Sequence, residues 1–158
     1  MPQGQTQESG YDAVATIIDP LTKRAHWIPA KEADLTAEEF ATTFIATYIR
    51  SRGLPTSIVS GRDTRFTSDF WQAMCSQLGI KLRMSTAYHP QSGGQAEKAN
   101  AILETFLKAY IVQLGSPRHW DQLLLLAEFA YNAAKHMATG MSPFGADIGY
   151  IPDYSLTY

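Results

Sequence analysis

A chain of 158 residues with 45% hydrophobic and 18% charged side chains is long and apolar enough for a globular domain with a buried core. Its formal charge of −2 excludes bulk electrostatic capture of a phosphate backbone, so any nucleic-acid contact has to come from a local basic patch. One cysteine, Cys75, excludes an internal disulfide and a multi-cysteine zinc site, and core packing is its expected role. No apolar run reaches the length of a bilayer crossing. The opening "MPQGQTQESG" has neither the basic nor the apolar region of a signal peptide, so residues 1–10 are expected to be disordered or non-native, residues 11–158 to form the domain, and the protein to be intracellular.

The front of the chain is strand-rich. "YDAVATIIDP" is a β-branched apolar run stopped by Pro20, and "RAHWIPA" is a second, so with "LTK" between them they predict a hairpin with Asp19 at its turn. Thr36 and Glu39 form a capping box ahead of a helix whose Phe40, Phe44 and Tyr48 share one face and which ends near Gly53. "LPTSIVS" predicts a short buried strand. Thr67 or Ser68 caps a helix carrying Phe70, Trp71, Met74, Cys75 and Leu78, with Gly79 at its end. "IKLRM" alternates apolar and basic residues and predicts a half-exposed strand.

The back of the chain is helical. "STAYHPQSGGQ" reads as a loop that leads into a long helix with Ala99, Ile102, Leu103, Phe106, Tyr110 and Leu114 on its apolar face. Ser116 and Pro117 open another helix, "RHWDQLLLLAEFAYNAAKH", apolar around most of its circumference and so expected to pack on both sides. "GMSPFGADIGYIP" reads as loop and short turns. There is no internal repeat.

The segments "DTRFTSDFW", "STAYHPQSGGQAEKAN", "EFAYNAAKH" and "SPFGADIGYIP", in this order between Tyr11 and Pro152, resemble the integrase catalytic core of gypsy-type LTR retrotransposons, a branch of the retroviral integrase superfamily. The resemblance implies an α/β, RNase H-like fold in which helices flank a mixed central sheet. It also implies two Asp and one Glu holding a pair of Mg²⁺ or Mn²⁺ ions, which activate a water or a DNA 3′ hydroxyl for in-line attack on a phosphodiester. Two hard cations held about 4 Å apart need several anionic oxygens, so each ligand position has to be filled.

One position is filled. "GGQAEKAN" places Glu97 where the family carries its Glu, although an acidic residue in a first helical turn also favours the helix dipole. The second position is not: where the family reads "SDR" this chain reads "SGR", which puts Gly61 at the ligand site, with thirty-five residues between it and Glu97. Asp63 lies two residues on and is a candidate shifted ligand, but a loop or turn role is the plainer reading. The first Asp lies on an opening strand in the family. Counting back from Asp12 lands before Met1, so the first strand is expected to be missing and the sheet to have an uncovered edge. Asp12 and Asp19 match positions that the family does not use as ligands.

In this resemblance Arg62, His89, Gln91, Gln95 and Lys98 surround the place where DNA would lie. Lys98 and Lys108 are the cations of the long helix, opposed by Glu104. Arg62 and Arg65 are otherwise ordinary loop charges, and His89 an ordinary loop residue. The four histidines form no zinc spacing. The favoured function is an integrase-like domain without catalysis, holding no tight Mg or Mn and acting, if at all, through weak DNA or protein binding. One alternative is a fragment or altered form of an active integrase performing Mg-dependent 3′ processing and strand transfer. Another is a protein-interaction module on an RNase H-like scaffold. A homodimer through the last helices is expected, with nuclear localisation where an integrase role is kept and no membrane association.

Overall fold

The structure is a computed structural model that describes residues 10–61, 63–84, 90–114 and 120–152, with residues 34, 90–93 and 114 described by backbone alone. The expected N-terminal tail therefore lies outside the described residues, apart from Gly10. In chain order come β1 (Ala13–Ile18), β2 (Ala25–Ala30), a 3-10 turn (Glu32–Asp34), α1 (Ala37–Phe44), a π-helical turn (Ile45–Ile49), α2 (Arg50–Arg52) and β3 (Ser57–Ser60). Then follow α3 (Thr64–Thr67), α4 (Asp69–Gln77), β4 (Lys81–Met84), α5 (Pro90–Leu114), α6 (Trp120–Ala133) and α7 (Pro143–Ile148). They gather in two compact units, one of Lys31–Gly94 and the other of the residues up to Ala30 with those from Gln95 onward.

In the second of these units β1 and β2 form the predicted antiparallel hairpin, Ala13 opposite Ala30 and Ile18 opposite Ala25. Asp19 shapes the turn: its Oδ1 accepts from Leu21 N at 2.9 Å and its carbonyl from Lys23 N at 2.8 Å. One face of the hairpin, Val14 and Ile18 with Ala25 and Trp27, packs on Ala99, Leu103 and Phe106 of α5 and on Leu124, Ala127 and Tyr131 of α6. Thr16, on that same face, donates to Asn100 Oδ1 at 2.6 Å.

The two edges of the hairpin are treated differently. Asp19 N donates to Arg24 O, and with this register Ala13, Ala15 and Ile17 bond β2 while Val14, Thr16 and Ile18 turn their N–H and C=O groups outward. On β2 the outward groups are those of Ala25, Trp27 and Pro29. Asn132 Oδ1 accepts from Ala25 N and its Nδ2 donates to Ala25 O, both at 2.9 Å, Glu128 Oε1 accepts from Trp27 N at 2.8 Å, and Pro29 has no N–H to satisfy. Side chains of α6 thus stand in for a neighbouring strand. The outward edge of β1 has no strand against it among the described residues. Amide exchange at Val14, Thr16 and Ile18 is expected to be at least tenfold faster than at Ala13, Ala15 and Ile17 in an NMR exchange series. Equal protection along β1 would contradict this edge assignment.

The other unit is built around Trp71, 1% exposed, whose ring meets Phe40, Phe44 and Phe66 with centroids 5.4, 5.9 and 5.4 Å away. The predicted Phe40, Phe44 and Tyr48 face is present as a stack. Its helix passes through the π-helical turn, where the hydroxyls of Thr47 and Ser51 bond the carbonyls of Thr43 and Thr47. Thr36 and Ser68 cap α1 and α4 through Glu39 N and Trp71 N, and Gly53 and Gly79 end their helices at φ 78° and 71°. Cys75 is fully buried, and burial pushes its thiol pKa up, in keeping with core packing.

Several expectations are corrected. Strand β3 is half exposed rather than buried, with Val59 45% exposed, because its only described partner is β4, which runs parallel to it. Among the described residues the strand pairs are β1 with β2, antiparallel, and β3 with β4, parallel. The loop before the long helix is shorter than expected, because α5 already begins at Pro90, whose fixed φ suits a first helical position. Ile102 is 53% exposed and is not part of the apolar face. The stretch after Ser142 is the helix α7 rather than a loop, with the Ser142 side chain accepting from Gly145 N, Pro143 at its start and Gly149 (φ 82°) at its end. Arg24 ties α7 to the hairpin through an ion pair with Asp147 and by lying 5.0 Å from the centre of the Phe144 ring.

Candidate metal site and nucleic-acid face

The loop that carries Gly61 and Asp63 follows directly from β3, at the carboxyl end of a parallel strand, where α/β folds keep reactive groups. Gly61 is exposed, its φ lies outside the left-handed region, and a Cβ added to it would meet nothing within 4 Å. Neither space nor backbone strain requires glycine there. The absence of a carboxylate at this position is therefore a chemical property of the chain and not a packing necessity.

Asp63 fills the turn role. It is the N-cap of α3, its Oδ1 accepting from Arg65 N at 2.9 Å, and the Arg65 guanidinium grips both oxygens, Nε to Oδ1 at 2.8 Å and Nη2 to Oδ2 at 2.7 Å. Hydrogen bonding from Arg65 lowers the Asp63 pKa to about 2. This lowered value contributes stability that is complete above the ordinary carboxylate pKa of 3.8 and is lost as the pH falls through about 2. Arg65→Met is expected to bring the Asp63 pKa back toward its ordinary value in a carboxyl ¹³C titration; an unmoved titration would mean that the pair does not set it.

Glu97 is exposed on α5, seven residues after Pro90, about two turns inside the helix instead of in its first turn. Glu97 belongs to one compact unit, and Gly61 and Asp63 to the other. Among the described residues no group of three or more His, Cys, Asp and Glu side chains could hold a metal ion. Together with the glycine at position 61 and the arginine-bound Asp63, this donor set does not fit a pair of divalent ions.

Of the expected DNA-facing residues, Arg62 and His89 lie outside the described residues, as does the side chain of Gln91. Gln95 is half-buried and its Oε1 accepts from Lys23 Nζ at 3.1 Å. Lys98 is exposed one turn further along the same helix, where i and i+3 residues share a face. Lys108 is paired with Glu104 at 2.6 Å on an exposed surface. Reading the sequence by segments missed Lys23: nothing in "LTK" indicates that a hairpin tip returns to the long helix.

The chain is 32% identical over 149 residues to the Transposon Tf2-3 polyprotein of Schizosaccharomyces pombe (strain 972 / ATCC 24843), a match spanning 94% of this chain and 11% of that polyprotein. Among solved structures, the BIV integrase catalytic core domain matches with a TM-score of 0.68 at 21% identity, over 90% of this chain and 90% of that one. The HTLV-2 integrase catalytic core domain in complex with magnesium, in its dimeric form, matches with a TM-score of 0.66 at 18% identity, over 87% and 88% of the two chains. No protein-family model matches the chain. The fold is thus that of the integrase catalytic cores, the RNase H-like fold. The chain spans about a ninth of the length of the Tf2-3 transposon polyprotein that it matches. No helix among the described residues is long and apolar enough to cross a membrane.

Proposed function

We propose that this chain is an integrase core domain of the gypsy type that does not catalyse DNA processing or strand transfer and acts by binding nucleic acid. The observation that carries the reading is Gly61: a position at the end of β3 with open space around it, where the resemblance calls for a carboxylate and a glycine stands. The engagement of both Asp63 oxygens by Arg65 supports it, because a shifted ligand would have to break that pair before it could bind a cation. Glu97 alone is one carboxylate, too few for two hard ions. The test is incubation of the chain with a duplex mimicking an element end in Mg²⁺ and in Mn²⁺. The reading predicts neither trimmed nor joined product; metal-dependent product that disappears in Glu97→Gln would overturn it.

The domain also pairs with a second copy of itself in this reading. Leu125 and Leu126 of α6 are 71% and 41% exposed while Leu124 and Ala127 on the same helix are buried, so α6 has an apolar side facing away from its own core. The dimeric form of the HTLV-2 core is consistent with such pairing.

A further inference from the structure

Strand β4 is reached by a sharp reversal of the chain. Ile80 N donates to Cys75 O at 2.8 Å and Gly79 turns at φ 71°, so the chain leaving α4 doubles back and β4 runs beside the helix it has just left. Lys81 N donates to Thr56 O at 3.1 Å, and Ser57 lies opposite Lys81. In a parallel pair this phase has Lys81 and Arg83 bond β3, while Leu82 and Met84 turn their N–H and C=O groups outward. That outward edge has no strand against it among the described residues.

The side chains of β4 alternate in kind as well. Leu82 and Met84 face α4, where with Gln72, Cys75, Ser76 and Ile80 they line an open groove of about 420 Å³, within the roughly 300–1,000 Å³ range of ligand pockets. The Ser60 hydroxyl donates to Met84 Sδ at 3.6 Å and holds that side chain on the groove side. Cys75 and Ile80 are buried at the floor of the groove, and Gln72 and Ser76 are exposed at its rim. Lys81 and Arg83 are exposed on the opposite face of the strand. Strand β3 carries no charged residue, so in this pair of strands both cations belong to β4.

We propose that the outer edge of β4 is a docking site for an extended segment of another protein, one whose sequence alternates apolar and acidic residues. Such a segment adds as a third strand, its main chain bonding the outward N–H and C=O groups of Leu82 and Met84. Its apolar side chains lie beside Leu82 and Met84 and enter the groove, while its acidic ones lie beside Lys81 and Arg83. Charge complementarity selects the partner: the whole chain has a formal charge of −2, yet β4 presents two cations and no anion, so an acidic segment is attracted and a basic one repelled. The site uses neither Gly61 nor Glu97 and is independent of the nucleic-acid reading above.

The test is amide hydrogen exchange in the full chain, read by NMR, with a short synthetic peptide alternating valine and glutamate and a control peptide alternating valine and lysine. The glutamate peptide at saturation is expected to slow exchange at Leu82 and Met84 by about tenfold or more and to leave Lys81 and Arg83, already bonded to β3, unchanged. The double variant Lys81→Glu, Arg83→Glu is expected to reverse the preference, so that the lysine peptide binds more tightly. Ser76→Trp, which fills the groove from its exposed rim, is expected to weaken the glutamate peptide by about tenfold with the far-ultraviolet spectrum unchanged. Absence of binding at millimolar glutamate peptide, binding that leaves Leu82 and Met84 unprotected, or a preference that survives the charge reversal would overturn the site. A DNA duplex that displaces the bound peptide, and whose own binding is lost in the double variant, would assign the two cations to nucleic acid and overturn the protein-partner assignment.

Discussion

Asn132→Ala is expected to lower the stability of the domain by about 3 kcal/mol, measured as a fall in the denaturant midpoint at unchanged slope. Asn132 is 1% exposed, and its amide is matched to both backbone groups of Ala25, itself fully buried. Truncation leaves a buried N–H and a buried C=O unpaired, and each carries a desolvation cost of about 1–3 kcal/mol. Asn132→Asp keeps the acceptor but loses the donor and places a charge in the same space, so it should be at least as damaging. A loss below about 1 kcal/mol in both variants would mean that water replaces the amide and that the edge of β2 is not sealed in the way described.

Trp71→Ala is expected to cost about 4 kcal/mol in the other unit, since the ring is 1% exposed and is the common neighbour of Phe40, Phe44 and Phe66. Trp71→Phe retains most of the packing and should recover more than half of that loss. The contrast between the two substitutions, read from denaturant curves, separates cavity formation from a general intolerance of change at this position. Equal losses in both would contradict the packing account.

What the sequence made legible was local or periodic. The hairpin, the caps at Thr36 and Ser68, the helix-ending Gly53 and Gly79, and the shared face of Phe40, Phe44 and Tyr48 all depend on residues within a few positions of one another. The exposure of β3 was not legible, because an apolar run such as "SIVS" carries no record of how many strands lie beside it. Helix α7 was missed although its signals, Ser142 before Pro143 and Gly149 at the end, were present; six residues are too few to develop a periodic pattern. The sealing of β2 by Glu128 and Asn132 was hidden for the opposite reason: in a helix both residues look like ordinary polar positions, and their role depends on Ala25 and Trp27 about a hundred residues earlier.

The candidate site was proposed from resemblance and spacing. Gly61 and Glu97 were placed by motif, and the structure adds that position 61 has room for a side chain and that Asp63 is already bound by Arg65. Lys23 could be found only in three dimensions, since it reaches Gln95 of α5 from a hairpin tip whose geometry no short motif encodes.

We propose that this chain holds no pair of divalent ions, and the glycine at position 61 is the part of that proposal open to direct test. Electron paramagnetic resonance of Mn²⁺ titrated into the wild-type chain tests it most directly, with Gly61→Asp measured alongside. The added side chain has open space, so the variant is expected to fold as the wild type does, with an unchanged thermal midpoint. The account predicts that the free-ion signal stays undiminished with wild-type protein and falls with Gly61→Asp. Stoichiometric loss of the free Mn²⁺ signal with the wild-type chain, abolished by Glu97→Gln, would contradict it.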